Sequence, residues 1–331
     1  MESEKTLIIA EAGVNHNGSI EIAKRLACEA KKAGADIIKF QTFRANLVAT
    51  SAAAKAAYQL VTTSGDESQL AMLKRLELSH EHHFILRDCC KELGIEFLST
   101  AFDLESLHFL ANTLKVGRLK IPSGEITNFP LLLAAARTGL PIILSTGMSN
   151  MEEIAATLRI ISSDHVTLLQ CTSNYPAPFC DINLRTIQTL KRTFGLKTGL
   201  SDHSTGISAS LAAVALGATV IEKHFTLDRS MPGPDHKASL EPRELRMLVE
   251  EIRNVEAALG DGVKVCAPSE INTRDIVRKS LVALVDITPG EAFSEENLAC
   301  MRPGTGIPAS RYFDYLGKPA KRSYRKNELI D

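Results

Sequence analysis

The sequence has almost no net charge: 38 Lys and Arg stand against 39 Asp and Glu, a formal balance of −1. The two signs are interspersed, so no broad electrostatic face for nucleic acid or an anionic membrane is expected, and any phosphate handled here must be bound locally. Long apolar runs are also missing. None approaches the 18 residues a transmembrane helix needs. The opening MESEKTLIIAEAG is charged and passes straight into a strand-like segment, without the n-region, h-region and cleavage site of a secretory leader, so a cytoplasmic protein is expected. The seven cysteines, at 28, 89, 90, 171, 180, 266 and 300, include no CxxC spacing, and their odd number points to reduced thiols. Cys89-Cys90 reads as helix packing.

What is present is a strand–helix alternation. Short apolar, β-branched runs recur as TLIIAE (6–11), DIIKFQ (36–41), IEFLST (95–100), RLKIPS (118–123), PIILST (141–146), HVTLLQC (165–171), LKTGLS (196–201) and ATVIEKH (218–224). Between them lie helical patterns such as IEIAKRLACEAKKAGA (20–35), with apolar residues at three- and four-residue intervals and Gly34 as a stop. Eight strands alternating with helices predict an α/β protein, a (β/α)8 TIM barrel. The second and third strands are set unusually far apart, and SAAAKAAYQLVTTSGDESQ between them reads as an added loop with a short helix over one face. From GDGVKVCAPSE onward the texture changes to short strands and turns. The expected division is a barrel over 1–259, a linker over 260–273 and a small, mostly-β domain over 274–331, which by its size is expected to dock against the barrel or a neighbouring subunit.

Side chains alternate along a strand, and barrel active sites sit at the carboxyl ends of the strands. Lys39 and Gln41 therefore share a face at the end of strand two, Ser201 and His203 at strand seven, and Glu222 and His224 at strand eight. Glu11, Thr100, Lys120, Ser123, Ser145, Ser173 and Tyr175 bring polar groups from the other strands to the same rim. Two lysines with serines, a threonine and backbone amides suit a phosphorylated anion. Helix capping is the competing role for Thr100 and the serines, and His16 in GVNHNGS either caps the first helix or lines the site. His203 and His224, at successive strand ends, fit one divalent metal whose other positions take substrate oxygens and water. His80, His82 and His83 in ELSHEHHF are expected on a solvated helix face.

The stretches IIAEAGVNHNG, IIKFQTF, KIPSGE, ILSTGM, CTSNYPAP, LSDHSTG, IEKHFTLD and PGPDHKASLEP together resemble the N-acetylneuraminate (sialic acid) synthase family, which includes legionaminic acid synthases. RKSLVA, GEAFSEENL and RPGTGI resemble its C-terminal antifreeze-like, or SAF, domain. The resemblance implies a transferase that condenses phosphoenolpyruvate (PEP) with an N-acyl mannosamine-type sugar and releases phosphate, aided by Mn2+ or Mg2+. By residue, it implies PEP contacts at Lys39, Thr100, Lys120, Ser123, Ser145, Ser173 and Ser201, sugar contacts at Glu11, Gln41, Tyr175 and Asp235, and metal ligation by His203 and His224. Glu11 is the candidate to orient the sugar and exchange a proton. Arg302 matches an arginine that reaches into the partner's barrel in a domain-swapped homodimer. The chain departs from the family's usual pattern at Ala101, where proline is common, at Gln170, commonly histidine, and at Ser173, asparagine in some members. N-acetylmannosamine is favoured over 2,4-diacetamido-2,4,6-trideoxymannose as the sugar. Another PEP-dependent sugar-acid synthase, a metal aldolase, and a catalytically silent sugar-binding barrel remain alternatives.

Overall fold

The computed structural model describes residues 5–63, 67–161 and 165–331. Residues 1–4 of the N-terminal segment and 64–66 of the expected insertion lie outside the described residues.

Eight parallel strands close into a barrel: β1 (Leu7–Gly13), β2 (Ile37–Thr42), β3 (Glu96–Ala101), β4 (Leu119–Ile121), β5 (Ile142–Ser145), β6 (Val166–Cys171), β7 (Lys197–Asp202) and β8 (Val220–His224), with β8 pairing back onto β1. Each falls on one of the eight apolar runs. The intervening helices are amphipathic and conventionally ended. Helix Ile20–Ala33 starts where the Ser19 hydroxyl accepts from the Ile22 amide and stops at Gly34 with φ +88°, the left-handed conformation glycine reaches without a Cβ penalty. Its Ala23, Leu26, Ala27 and Ala30 are buried, the stripe that seats it on the sheet.

The strands' inward faces form tiers. Ile9, Ile37, Leu98, Ile143, Leu169 and Val220 pack together as one apolar layer inside the barrel. Gly199 completes that layer, because a Cβ there would come within 2.8 Å of the Leu169 side chain. Two residues further along β1, β2, β3 and β8 come Glu11, Lys39, Thr100 and Glu222, and the next inward positions of β2 and β8 are Gln41 and His224. The polar tier thus follows from the strand period of two.

The long β2–β3 connection contains helices Ala45–Val48, Ala57–Thr62, Gln69–Leu76 and His80–Leu93. One expectation fails in the last of these. His83 is buried, not solvated. Its Nδ1 donates to the Ser79 carbonyl at 2.8 Å, so its Nε2 accepts from Thr42 Oγ1 at 2.7 Å. His80 stacks on Phe109 at 3.7 Å between centroids. Helical spacing places one of the three histidines of HEHH on the core face, and polarity alone could not say which. His16 is also fully buried, with Nδ1 accepting from the Gly18 amide at 3.0 Å; the cap of the first helix is Ser19 instead.

These two histidines make the fold acid-sensitive. Burial, with lesser contributions from neighbouring histidines, pushes His16 down to about 3 and His83 down to about 4 from an ordinary 6.5. A group whose folded pKa is depressed stays neutral in the native state while the unfolded chain takes up a proton. Stability from His83 is therefore complete above pH 6.5 and falls as pH drops toward 4, by about 2 kcal/mol at pH 5. Glu11, raised by burial to about 7, opposes this trend. The expected result is that His83→Gln, compared with the parent in urea melts, flattens the loss of stability between pH 7 and 5; parallel profiles would refute it.

A second compact unit spans Asp261–Asp331. It contains the helix Ile271–Val277 and β9 (Ser280–Ala283) paired antiparallel with β10 (Leu298–Met301). Leu281, Ala283, Ile287, Phe293, Leu298, Ala320, Tyr324 and Ile330 give it a core of its own. All seven cysteines are free, and among the described residues no helix is long and apolar enough to cross a membrane.

Candidate active site

The carboxyl ends of the barrel strands surround a cavity of about 250 Å³. At its centre are two lysines and two carboxylates, all essentially inaccessible to solvent. Lys39 Nζ lies 2.7 Å from Glu11 Oε2, 3.6 Å from Glu222 Oε2 and donates to Thr100 Oγ1 at 2.8 Å. Lys120 Nζ lies 3.6 Å from Glu222 Oε1 and donates to Ser145 Oγ at 2.8 Å. Ser201 Oγ donates to the same Glu222 oxygen at 2.8 Å. Register explains the grouping, since Glu11 is opposite Lys39, Thr100 opposite Lys120 and Ser201 opposite Glu222 on adjacent strands.

The two carboxylates are driven apart. Burial works to raise Glu222, but Lys120 and Lys39, with the Ser201 hydroxyl, outweigh it and bring the group to about 2. Burial raises Glu11 to about 7, Lys39 offsetting it only in part and Glu222 adding to it. For Lys39, burial is outweighed by the two glutamates and the ammonium form is favoured, whereas burial lowers Lys120. Two lysines against one fully ionised carboxylate leave positive charge for an anion, and a second carboxyl near neutrality is placed to give or take a proton.

Beside this group Ser123 accepts from the Gly147 amide at 2.9 Å. Gly147 is required by close approach: a Cβ there would fall against Ser173 Oγ and within 2.9 Å of Ser123 Oγ. Ser173 and Cys171 line the same wall. Across the cavity the rings of His203 and His224 lie 5.3 Å apart, and Tyr175 packs on both, at 4.2 and 5.4 Å. His203 Nδ1 donates to the Thr172 carbonyl at 2.8 Å, which in the neutral ring leaves the Nε2 lone pair available. His224 Nδ1 is buried without a hydrogen-bond partner among the described residues, and burial, reinforced by His203, holds that ring well below its ordinary pKa. Two close imidazoles, one with a fixed tautomer and one with an orphaned nitrogen, fit a divalent metal. Among the described residues no three His, Cys, Asp or Glu side chains form a complete metal cage, so such an ion would depend on substrate and water for its remaining ligands.

Gln41 donates to Glu11 Oε1 at 3.4 Å. Asp235, raised by burial to about 6, lies 4.0 Å from His224 Nδ1 and faces an adjoining cavity rather than the main one. Arg302 belongs to the second unit, where it is exposed and its Nε donates to the Val277 carbonyl at 3.1 Å. Of the departures from pattern, Ala101 is buried as the last residue of β3, paired with Thr42, and the neighbouring Thr100 keeps its bond to Lys39. Gln170 turns to the Ile182 carbonyl at 2.8 Å. Sequence reasoning gave no role to Glu222, the hub of the network; its alternation with His224 carried the signal. It also missed Tyr58 and Cys171, which line the cavity. Cys171 Sγ is 3.7 Å from His203 Nδ1, and although burial works to raise the thiol, that ring brings it down to about 7.

A closed α/β barrel with its ionisable groups gathered at the strands' carboxyl ends is the architecture of a barrel enzyme. The chain belongs to the NeuB family, whose model matches residues 26–264, and the SAF domain model matches residues 278–331. It is 54% identical to the N,N'-diacetyllegionaminic acid synthase of Campylobacter jejuni subsp. jejuni, over 99% of both chains. Against the N,N'-diacetyllegionaminic acid synthase of Legionella pneumophila the identity is 47%, over 94% of this chain and 89% of that protein. The crystal structure of the N-acetylneuraminic acid synthetase of Leptospira borgpetersenii with citrate superposes with a TM-score of 0.71 at 37% identity, covering 81% of this chain and 90% of that one.

Proposed function

We propose that the enzyme joins PEP to 2,4-diacetamido-2,4,6-trideoxymannose with addition of water, giving N,N'-diacetyllegionaminic acid and phosphate. The observation that carries the chemistry is the pair of buried lysines, bound to Glu222 and flanked by Thr100, Ser145 and Ser201, facing two imidazoles across one cavity. The choice of sugar differs from the one the sequence favours. Near-end-to-end similarity to two N,N'-diacetyllegionaminic acid synthases turns it from N-acetylmannosamine to the doubly acetamidated, deoxygenated sugar.

In this reading Lys39, Lys120, Thr100, Ser123, Ser145, Ser173 and Ser201 hold PEP, and Glu11, Gln41, Tyr175 and Asp235 orient the sugar. His203 and His224 would hold Mn2+ or Mg2+, which supplies Lewis acidity toward the open-chain sugar's aldehyde. A bond forms between C3 of PEP and C1 of the sugar, a water oxygen adds at C2, and the C2–O bond to the phosphate group breaks to leave a C2 ketone, the two water protons passing to the C1 oxygen and the departing phosphate. Lys39 and Lys120 neutralise the departing phosphate. Glu11, near neutrality in its pKa, exchanges the proton at the sugar oxygen. Barrel strands and buried side chains keep bulk water from the enol carbon before it meets the aldehyde. Residues 1–259 would form the catalytic barrel and 274–331 the SAF domain, joined through 260–273. Arg302 would complete the partner's site in a domain-swapped homodimer of a cytoplasmic enzyme.

Incubation with PEP, Mn2+ or Mg2+ and the trideoxy sugar is expected to release one phosphate per sugar consumed, with a product mass equal to sugar plus pyruvate. No phosphate release with any N-acyl mannosamine would overturn the proposal.

A further inference from the structure

The main cavity opens into a second one of about 220 Å³, and the two share Gln41, Tyr58, Phe102, Tyr175 and His224. The walls of this annex differ in kind. Val14, Phe43, Met72 and Leu76 form one buried apolar cluster, with Met72 and Leu76 each 1% exposed, and Val48 adds a further apolar surface. Amid these stands Gln69, whose Oε1 is buried with no hydrogen-bond partner among the described residues. The neighbouring Gln59 is already engaged, accepting from the Ala56 amide at 3.0 Å.

We infer that the annex is the subsite for the far end of the sugar, with Met72, Leu76 and Val48 packing on its 6-methyl group and Gln69 Oε1 accepting from the N–H of its 4-acetamido group. This rests on the synthase reading. A sugar whose aldehyde lies beside His224 must extend its remaining carbons away from the lysines, and the annex opens on the His224 side. An apolar wall rewards a methyl and leaves a 6-hydroxyl without a partner, so the same surface attracts one sugar and penalises the other. An orphaned acceptor supplies what an acetamido N–H needs. Gln69, Met72 and Leu76 lie on the helix Gln69–Leu76 and Val48 on the helix Ala45–Val48, both within the long β2–β3 connection. Specificity here is therefore carried by a loop insertion, while the strand ends carry the chemistry.

The test compares kcat/KM for 2,4-diacetamido-2,4,6-trideoxymannose and N-acetylmannosamine in the parent enzyme and in Met72→Gln, Val48→Thr and Gln69→Leu. The parent is expected to prefer the trideoxy sugar by about tenfold or more, and Met72→Gln and Val48→Thr to reduce that preference by about fivefold or more. Gln69→Leu should lower kcat/KM for the diacetamido sugar by about tenfold. In all three the KM for PEP stays at the parent value. Should Met72→Gln not fold, the half-exposed Val48 and Gln69 positions carry the comparison. An unmoved preference overturns the subsite and leaves the synthase reading standing; a parent that prefers N-acetylmannosamine overturns the subsite and the choice of sugar, and leaves the condensation with PEP standing. A parent releasing no phosphate with either sugar overturns both.

Discussion

Replacing Lys120 with methionine is expected to weaken PEP binding and lower kcat/KM for PEP by about a hundredfold or more, the scale of losing one partner from a buried charged group. Lys120 donates to Ser145, faces Glu222 and is only 2% exposed. Its loss leaves Glu222 balanced by Lys39 alone, and Lys39 is shared with Glu11. The anion would then meet a site with its positive charge cancelled. A purely structural lysine predicts something different, and a second substitution separates the two. Adding Glu222→Gln to Lys120→Met removes the unbalanced carboxylate and should recover part of the thermal stability, while affinity for PEP by calorimetry stays low. Recovery of both together would mean that Lys120 serves the fold rather than the anion.

Mixing Arg302→Ala with His203→Ala should restore activity that neither variant has by itself. Among the described residues Arg302 uses only its Nε, on the Val277 carbonyl, so the rest of its planar fork is available for oriented hydrogen bonds to a hydroxyl or acyl oxygen. If it serves the partner's barrel, a mixed dimer contains one site with both defects and one with neither. A closed two-fold dimer with equivalent sites then regains up to about half the activity per heterodimer. Subunit exchange verified by mass, with activity no higher than in the separate variants, would refute action in trans.

The barrel was legible in the sequence because its cause is local. A period of two in eight runs and near 3.6 between them needs no knowledge of neighbours. The polar rim was legible for the same reason: once strand ends are placed, alternation puts Lys39 with Gln41 and Glu222 with His224 on one face. What sequence does not carry is how adjacent strands are offset. Glu222 becomes the hub only because β7 and β8 pair Ser201 beside it and the barrel closes Lys39 and Lys120 over it. His83 shows a second limit. Its burial depends on Thr42 presenting a hydroxyl from β2, a tertiary fact that the stretch HEHH does not encode. The apolar annex was hidden for a third reason: Val14, Phe43 and the Met72–Leu76 pair of one helix come from three separate segments, and each alone reads as ordinary core.

The layer of Ile9, Ile37, Leu98, Ile143, Leu169 and Val220 has a consequence for how such a site is altered. On β1, β2 and β8 it lies two residues before the charged tier, about 6–7 Å along each strand, so the same strands carry both. Burying two ammonium and two carboxyl groups opposes folding, whereas closing an apolar plug directly beneath them favours it. The unfavourable tier rests on a favourable one, and each occupies its own set of alternate positions. Substitutions in the upper set can therefore change charge and hydrogen bonding while the lower set keeps the barrel closed. Reactivity and barrel closure are thus assigned to different positions of one strand, of opposite thermodynamic sign and two residues apart.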